Sequence, residues 1–489
     1  MKQYDVIIIG GGIVGCMTAR ALSRYHLAIL LIEKEADICM GATSANTAII
    51  HSGHDPLPGT LKAEMNSLAN PMWEQISAEL GIPFKRNGAY IVAIDEDCSC
   101  LNTLQERARA NGVPSEIISA EEMKKREPLI NPATTGALYT PTAGMVDPFA
   151  ACVAPLENAI LNGVEVRTGS AFIDFIKNGN KIVGIKTNHG DLACRWVVNA
   201  AGLNCDEVMH KAGVRPEFKI TPRKGEYYIL DKNDIQTNTI LFPVPSEFSK
   251  GICVVGSVHG NVQVGPNSNL VPACDDRAVT QEGLAEVWTG SQQLLPSISP
   301  RSIISVFAGL RASGNAHSIN ADYSHDFVIE IPQEVQGFIN LGGIESPGLT
   351  AAPAIAERVV ELLINAGERL EEKRTFNPIH QPRPRFNHLS HKEQAALVAK
   401  DPRYGRIICR CEGISEGEIV AEIHAPLPAL TYDAIKRRTW LGTGRCQGAF
   451  DMPRVVSILA QELGVSPLEI TKKGAGSEFL VRLTKEVEA

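Results

Sequence analysis

The run Tyr4-Asp5-Val6-Ile7-Ile8-Ile9-Gly10-Gly11-Gly12-Ile13-Val14-Gly15 decides the fold. Its unbroken apolar start predicts a strand buried on both faces. Gly10-x-Gly12-x-x-Gly15 follows at once, and Met17 to Tyr25 carries Ala and Leu at helical spacing. Ala28-Ile29-Leu30-Leu31-Ile32 is a second buried strand, ended by Glu33. The whole is one right-handed βαβ unit. Within it Gly10 permits the tight turn, Gly12 lets backbone approach a pyrophosphate, and Gly15 lets helix pack on strand. The helix N-terminus offers free N–H groups to phosphate charge. Glu33 stands where a carboxylate accepts from ribose hydroxyls. A dinucleotide site follows from this combination; the glycines alone could mark only a tight turn.

Outward from this unit, Leu61 to Leu80 reads as helix and Asn87 to Ile94 as strand. Leu101 to Ala110 and Ala120 to Arg126 read as helices, and so does Pro148 to Leu161, with Asp147 as N-cap and Pro148 at the first helical position. Val164 to Thr187 alternates as a small meander, and Arg195 to Gly202 is a buried strand stopping on a glycine turn. Tyr227 to Leu230, Gly251 to Gly256 and Val262 to Val264 suggest an inserted, mostly antiparallel sheet. Phe338 to Leu341 returns as strand, Gly342 to Leu349 as turn and Ala351 to Ala366 as helix. From Glu371 to Arg406 the chain is polar and proline-bearing and reads as a linker; Ile407 onward is compact, helical and Cys-bearing.

The 489 residues are 44% apolar and 21% charged, which fits a globular protein and excludes a disordered one. A net charge of −8 gives no basic field for nucleic acid or an anionic membrane, leaving at most peripheral membrane association. No run approaches the ~18 apolar residues of a membrane span. Asp5 interrupts any signal-peptide pattern, so the twelve cysteines read as reduced thiols in a cytoplasmic enzyme, some of them ligands.

Only one glycine fingerprint is present, so a flavin with a separate nicotinamide site is disfavoured. Asn199-Ala200-Ala201-Gly202 and Gly342 to Gly348 supply two further backbone approaches, as a long ligand crossing several strand ends requires. FAD fits better than NAD. The runs Met40 to Asn46, Ile50-His51-Ser52-Gly53, Pro222 to Tyr227, Phe307 to Arg311 and Ile344 to Leu349 carry a resemblance. Residues 1 to about 370 resemble FAD-dependent oxidoreductases of the D-amino-acid-oxidase type, in the branch of glycerol-3-phosphate and L-2-hydroxyglutarate enzymes. The implied fold class is α/β: a Rossmann-type FAD-binding domain (about 1–85, 145–220 and 325–370) and an inserted β substrate domain (about 86–144 and 221–324). A linker (371–406), a small helical domain (407–475) and a tail (476–489) follow. The implied FAD contacts are Gly10, Gly12, Gly15, Glu33, Lys34, Thr43, Ser44, Asn46, Ala201, Gly202, Gly343, Gly348 and Leu349.

Oxidising a secondary alcohol requires a base for the hydroxyl proton and a clamp for the substrate's charge. His51 follows the segment that in the resembled family runs along the flavin, and an imidazole has a suitable pKa; its alternative is a hydrogen-bonded structural histidine. His54, beyond the glycine turn, is the weaker candidate. Arg311 closes the apolar run Ile303 to Leu310 and so emerges from a buried strand as the anion clamp. Lys250 holds a family position at the anion site, or is a solvated loop lysine. Ser346 donates to substrate or flavin, or caps a helix, and Lys224 pairs with Glu226.

Cys409-x-Cys411 and then Cys446 have metal-type spacing, and the capping box Ser415-x-x-Glu418 starts a helix just after the first pair. This segment resembles the bacterioferritin-associated-ferredoxin domain, which holds a 2Fe–2S cluster. That family's fourth cysteine is here Asp451. A cluster on Cys409, Cys411, Cys446 and Asp451, a helical domain without metal, and a zinc site all remain open. Cys98-x-Cys100 lacks a second pair and reads as incidental. The expected reaction oxidises a small anionic alcohol, first glycerol 3-phosphate to dihydroxyacetone phosphate. The alternatives are L-2-hydroxyglutarate or another hydroxy or amino acid, and a flavoprotein scaffold subunit of an electron-transfer complex. A cluster domain favours a dehydrogenase over a peroxide-forming oxidase. The resemblance implies a second, NAD-linked flavoprotein or other acceptor subunit as partner.

Overall fold

A computed structural model describes residues 3–95, 99–216, 218–237, 239–245, 251–314, 326–482 and 484. The opening unit forms as its sequence requires: strand β1 (Gln3–Ile9), helix α1 (Ile13–Leu22) and strand β2 (Ile29–Ile32). β1 lies between β2 and the strand Gly190–Asn199, parallel to both, with Ile8 opposite Leu31 and Val198. Every residue of β2 is buried, as a strand covered on both faces demands. Three helices, α1, Ala150–Leu161 and Gly348–Asn365, close one face of this eight-stranded sheet. Cys205–Ala212 closes the other. The carboxyl ends of β1, β2 and Gly190–Asn199 therefore open together on one edge, where ligands bind in such sheets.

The second sheet has nine strands, antiparallel throughout except where Ile240–Pro243 runs parallel to Ala89–Ile94. Its spine is a long pair, Ile220–Leu230 against Ile303–Gly314, in register from Ile220↔Gly314 to Ile229↔Ser305, with a bulge before Leu230↔Ile303. Helix Gln281–Leu294 packs on it through Val287 and Leu294.

Four elements depart from the sequence reading. The meander expected over 164–187 divides: Glu165–Arg167 pairs in parallel with β2, and the antiparallel run is Phe172–Asn178, Lys181–Thr187 and Gly190–Asn199. The helix expected over 61–80 is two, Leu61–Ala69 and Met72–Leu80, because Pro71 cannot continue the first. The helix expected from Pro148 begins at Ala150, although Asp147 Oδ1 still accepts from the Phe149 and Ala150 N–H groups. The segment 371–406 is bound down and partly helical. His380 is buried against Glu157 (2.7 Å), and Ser390 and Glu393 form a capping box that starts the helix His391–Lys400.

The C-terminal segment has its own core, built on a short hairpin (Ile407–Cys409 with Ile414–Ser415) and helices Glu416–Ile423, Tyr432–Thr439 and Met452–Leu463. The capping box Ser415/Glu418 forms as expected. Charged contacts dock this segment on the rest. Arg437 and Arg438 both reach the buried Asp37 (2.7 and 2.8 Å). Arg383 bridges Glu157 and Glu422 (2.9 and 2.7 Å), and Arg445 meets Asp231 and Asp234 (2.6 Å each). The Trp440 indole donates to Asp147 Oδ2 (2.8 Å), which His259 also contacts (2.9 Å). Among the described residues no helix is long and apolar enough to cross a membrane.

Candidate functional site

A cavity of about 730 Å³ runs from the β1–α1 turn to the second sheet. Gly10, Gly12, Glu33, Lys34, Thr43, Asn46, Ala201, Gly202, Gly348 and Leu349 line it, and so do His51, Arg311 and Ser346. The glycines divide by role. Gly10 sits at φ +111°, and a Cβ on Gly15 would lie 2.0 Å from the Gly10 carbonyl, so Gly15 serves turn–helix packing. A Cβ on Gly12 would meet only Thr43 Oγ1, at 3.4 Å, so the protein itself leaves that space open. Gly12 has no side chain to cap α1, although the Ile13 N–H at the helix start donates to Thr43 Oγ1 (3.2 Å). Glu33 accepts from Gly11 N–H (2.7 Å) and Glu35 N–H (2.9 Å). Burial pushes its carboxyl up, against those two donors. A bare Gly12 at the start of α1 and a carboxylate at the close of β2 fit the pyrophosphate and ribose of FAD.

Two expected cofactor residues, Ser44 and Gly343, lie behind the wall, while Asn46 and Lys34 line it. The Ser44 hydroxyl turns to the Gly41 carbonyl (2.7 Å), and Ser44 does not line the cavity. Gly343, at φ +64°, shapes the late turn without lining it. Asn46 spends its amide on Thr43 O and Ala48 N–H (2.8 and 2.7 Å) and presents backbone and stem. Lys34 is exposed beside Glu35 (3.6 Å).

At the far end His51 is held by its backbone. Its N–H donates to Thr350 Oγ1 (2.9 Å), and its carbonyl accepts from Asn70 (2.9 Å) and Asn66 (3.2 Å). The imidazole stacks near Phe242, centroids 6.1 Å apart. His54 is buried and bonded to Ser52 (2.9 Å), outside the cavity lining. Arg311 donates to the Asn267 carbonyl (2.9 Å) and Ser268 Oγ (3.3 Å). Lys250 and Cys98 lie outside the described residues.

The residue without an expected role is Arg223. It stands directly opposite Arg311 in the long strand pair, lines the same cavity and donates to the same Ser268 hydroxyl (3.4 Å). Directly opposed like charges destabilise a sheet. Burial lowers the Arg223 pKa, with the Arg311 charge adding and Glu345 opposing. Tyr227, two positions along the same face, stacks on Phe307 (4.5 Å) beneath the pair. Burial pushes its phenol up to about 12, with Arg311 opposing. Strand alternation places Arg223 and Tyr227 on the cavity face and Lys224 and Glu226 on the other. Lys224 accordingly pairs with Asp276 (3.1 Å) and the Ala278 carbonyl (2.9 Å), not with Glu226, which instead accepts from Asn267 (3.0 Å). Lys62 and Glu345 form a half-buried ion pair (2.9 Å) at the cavity edge.

In the C-terminal segment the four candidate ligands lie as two pairs. Cys411 Sγ lies 3.5 Å from Cys446 Sγ. Cys409 is buried, accepts from the Gly442 N–H (3.4 Å), and adjoins Asp451; burial, with that carboxylate adding, pushes the thiol up to about 11. Asp451 is buried, its Oδ1 accepts from the Tyr432 hydroxyl (2.7 Å), and its Oδ2 has no hydrogen-bond partner. Among the described residues no three His, Cys, Asp or Glu side chains are grouped to hold a single metal ion.

A doubly covered mixed sheet with a parallel centre and a glycine turn, a cavity continuing to a histidine and two arginines, and an appended Cys-bearing domain define a flavin-nucleotide oxidoreductase. Residues 5–362 match the model of the FAD dependent oxidoreductase (DAO) family, and the chain belongs to that family. Residues 407–461 match the BFD-like [2Fe-2S] binding domain. The chain is 42% identical over 488 residues to a glycerol 3-phosphate dehydrogenase of Caloramator mitchellensis, covering 99% of each protein. It is 34% identical to a glycerol 3-phosphate oxidase of Mycoplasma genitalium, over 77% of this chain and 98% of that protein. The FAD-bound L-alpha-glycerophosphate oxidase of Mycoplasma pneumoniae superposes with a TM-score of 0.72 at 28% identity, over 78% of this chain and all of that one.

Proposed function

We propose that the protein is an FAD-dependent dehydrogenase of glycerol 3-phosphate, forming dihydroxyacetone phosphate. The observation that carries this reading is the Arg223/Arg311 pair, two guanidiniums side by side on the wall of the flavin cavity. Glu345 offsets part of the Arg223 charge, and a phosphate dianion at the cavity wall would attract both guanidiniums. Arg311, bonded to Asn267 and Ser268, holds the substrate's phosphate with Arg223 beside it. His51, fixed through both its backbone groups, takes the carbinol hydroxyl proton. Ser346 donates to the substrate from the late turn. Tyr227 and Phe242 line the wall with aromatic surface that excludes water. FAD, when bound, supplies the two-electron acceptor.

Cys409, Cys411, Cys446 and Asp451 would hold the 2Fe–2S cluster, which when present carries single electrons. Two close ligand pairs, with a buried carboxylate oxygen left unsatisfied, suit two irons taking two protein ligands each. A lone zinc ion needs four ligands around one point. The electrons then leave through protein, to an acceptor subunit or carrier. The eleven cysteines among the described residues are all free thiols, which fits the reducing cytoplasm. The test is anaerobic flavin reduction by glycerol 3-phosphate and by L-2-hydroxyglutarate. Preference for the hydroxy acid would replace the phosphate reading.

A further inference from the structure

The rim of the C-terminal ligand loop is unlike the rest of the molecule. Cys411 is exposed, so this end of the ligand set reaches solvent. Three arginines flank the ligands along the chain: Arg410 between the two hairpin cysteines, Arg445 beside Cys446, and Arg454, whose backbone N–H donates to the Asp451 carbonyl (3.0 Å). All three are exposed. Arg445 is held by Asp231 and Asp234, and Glu412 is held by Lys232 (3.3 Å). Among the described residues Arg410 and Arg454 have no carboxylate partner. Phe450, the residue before Asp451, is 82% exposed. A chain of net charge −8 thus turns a basic, aromatic-tipped face outward at the point where its cysteines reach solvent.

We propose that this rim docks a small acidic one-electron carrier protein, and that electrons leave the enzyme there. The inference rests on the cluster reading given above and adds the surface and the chemistry of the partner. Charge selects the occupant. An acidic carrier is repelled by the molecule's overall field and attracted at the Arg410/Arg454 rim, which steers it to the ligand loop. A second copy of this chain, itself acidic, gains less there. Phe450 supplies the apolar anchor, and exposed aromatic and Arg side chains are the residues that dominate protein contacts. Electrons balance as follows. Oxidising one alcohol to a ketone releases two electrons and two protons. Each carrier accepts one electron, so two carriers leave reduced per ketone formed, and the protons pass to solvent.

The experiment uses the full-length holoenzyme with rubredoxin as the acidic probe and a basic c-type cytochrome as its charge-reversed control. The dissociation constant is read by calorimetry at low and high salt, independently of turnover. Carrier reduction is then followed after substrate addition. The variants are Arg410→Glu, Arg454→Glu and Phe450→Ser, with iron content and flavin reduction by substrate as controls, both expected unchanged. Phe450→Ser is expected to weaken rubredoxin binding by about tenfold or more. Each charge reversal should weaken it several-fold, and added salt should do the same. Three results would overturn the surface: salt-insensitive binding that ignores the reversals, tighter binding of the basic cytochrome, or a chain dimer that Phe450→Ser dissolves. Charge-dependent rubredoxin binding without its reduction overturns the rim as the electron exit when the protein holds its iron, and refutes the cluster reading instead when it holds none.

Discussion

Replacing Arg223 by Met keeps the length of the side chain and removes one of two opposed charges. Arg223 and Arg311 share Ser268 and face one cavity, so both guanidiniums reach a single phosphate. A hydrogen bond to a charged group contributes ~1.5–3 kcal/mol net. Taking about 2 kcal/mol, and 1.4 kcal/mol per factor of ten, the KM for glycerol 3-phosphate should rise about 30-fold. The contact is made in the ground state as well as the transition state, so kcat should fall less than KM rises. Arg311→Met should cost a similar factor. The double variant should depart from the sum of the two by ~0.5–3 kcal/mol, since both act on one anion. The assay is the rate of anaerobic flavin bleaching against substrate concentration, with uncharged glycerol as the control that both variants should oxidise as the parent does. A KM for Arg223→Met within about twofold of the parent would refute the shared clamp.

Gly12→Ala should leave the stability of the flavin-free protein unchanged, since the new methyl meets only Thr43 Oγ1 at 3.4 Å, and should lower flavin content. Gly15→Ala should instead destabilise the fold by ~1–3 kcal/mol or more, its methyl being forced on the Gly10 carbonyl; thermal melts of both proteins separate the two roles. His51→Ala should slow flavin reduction by ~10²–10⁴, read by stopped flow, and a parent-like rate would place the base elsewhere. Burial pushes the Asp37 carboxyl up, but Arg438 and Arg437 outweigh it and hold it at about 2, against an ordinary 3.8. A depressed carboxylate pKa stabilises above the unfolded value and loses that contribution as pH falls through the folded one. Asp37→Asn should therefore melt lower than the parent at neutral pH, by about 2 kcal/mol, with the gap closing between pH 4 and pH 2. Asp451→Cys should hold iron and sulfide more firmly in air than the parent, and Asp451→Ala less firmly, measured on anaerobically purified protein.

The βαβ unit was legible because its residues act locally: a four-residue strand buried on every side can only be apolar, and the turn needs glycine at Gly10 and Gly15. The helix break at Pro71 was also written in the chain, but apolar spacing on either side of it masks the interruption. Arg223 shows a different limit. Alternation from Tyr227 back along Ile220–Leu230 would have put it on the cavity face, but its meaning depends on Arg311, eighty-eight positions away, and only the strand register joins them. Lys224 was assigned to Glu226 for the converse reason. They are near in sequence and share a face, but Asp276 and the Ala278 carbonyl reach the ammonium from another element. The pairing of Cys411 with Cys446 and of Cys409 with Asp451 likewise follows from how the hairpin meets the loop before Met452–Leu463, which spacing does not encode.

Mixing the purified holoenzyme anaerobically with glycerol 3-phosphate, while following flavin absorbance and assaying dihydroxyacetone phosphate, tests the central claim most directly. The flavin should bleach, and ketone should form in proportion to the electrons taken up. A flavin that stays oxidised with glycerol 3-phosphate but bleaches with L-2-hydroxyglutarate would contradict it.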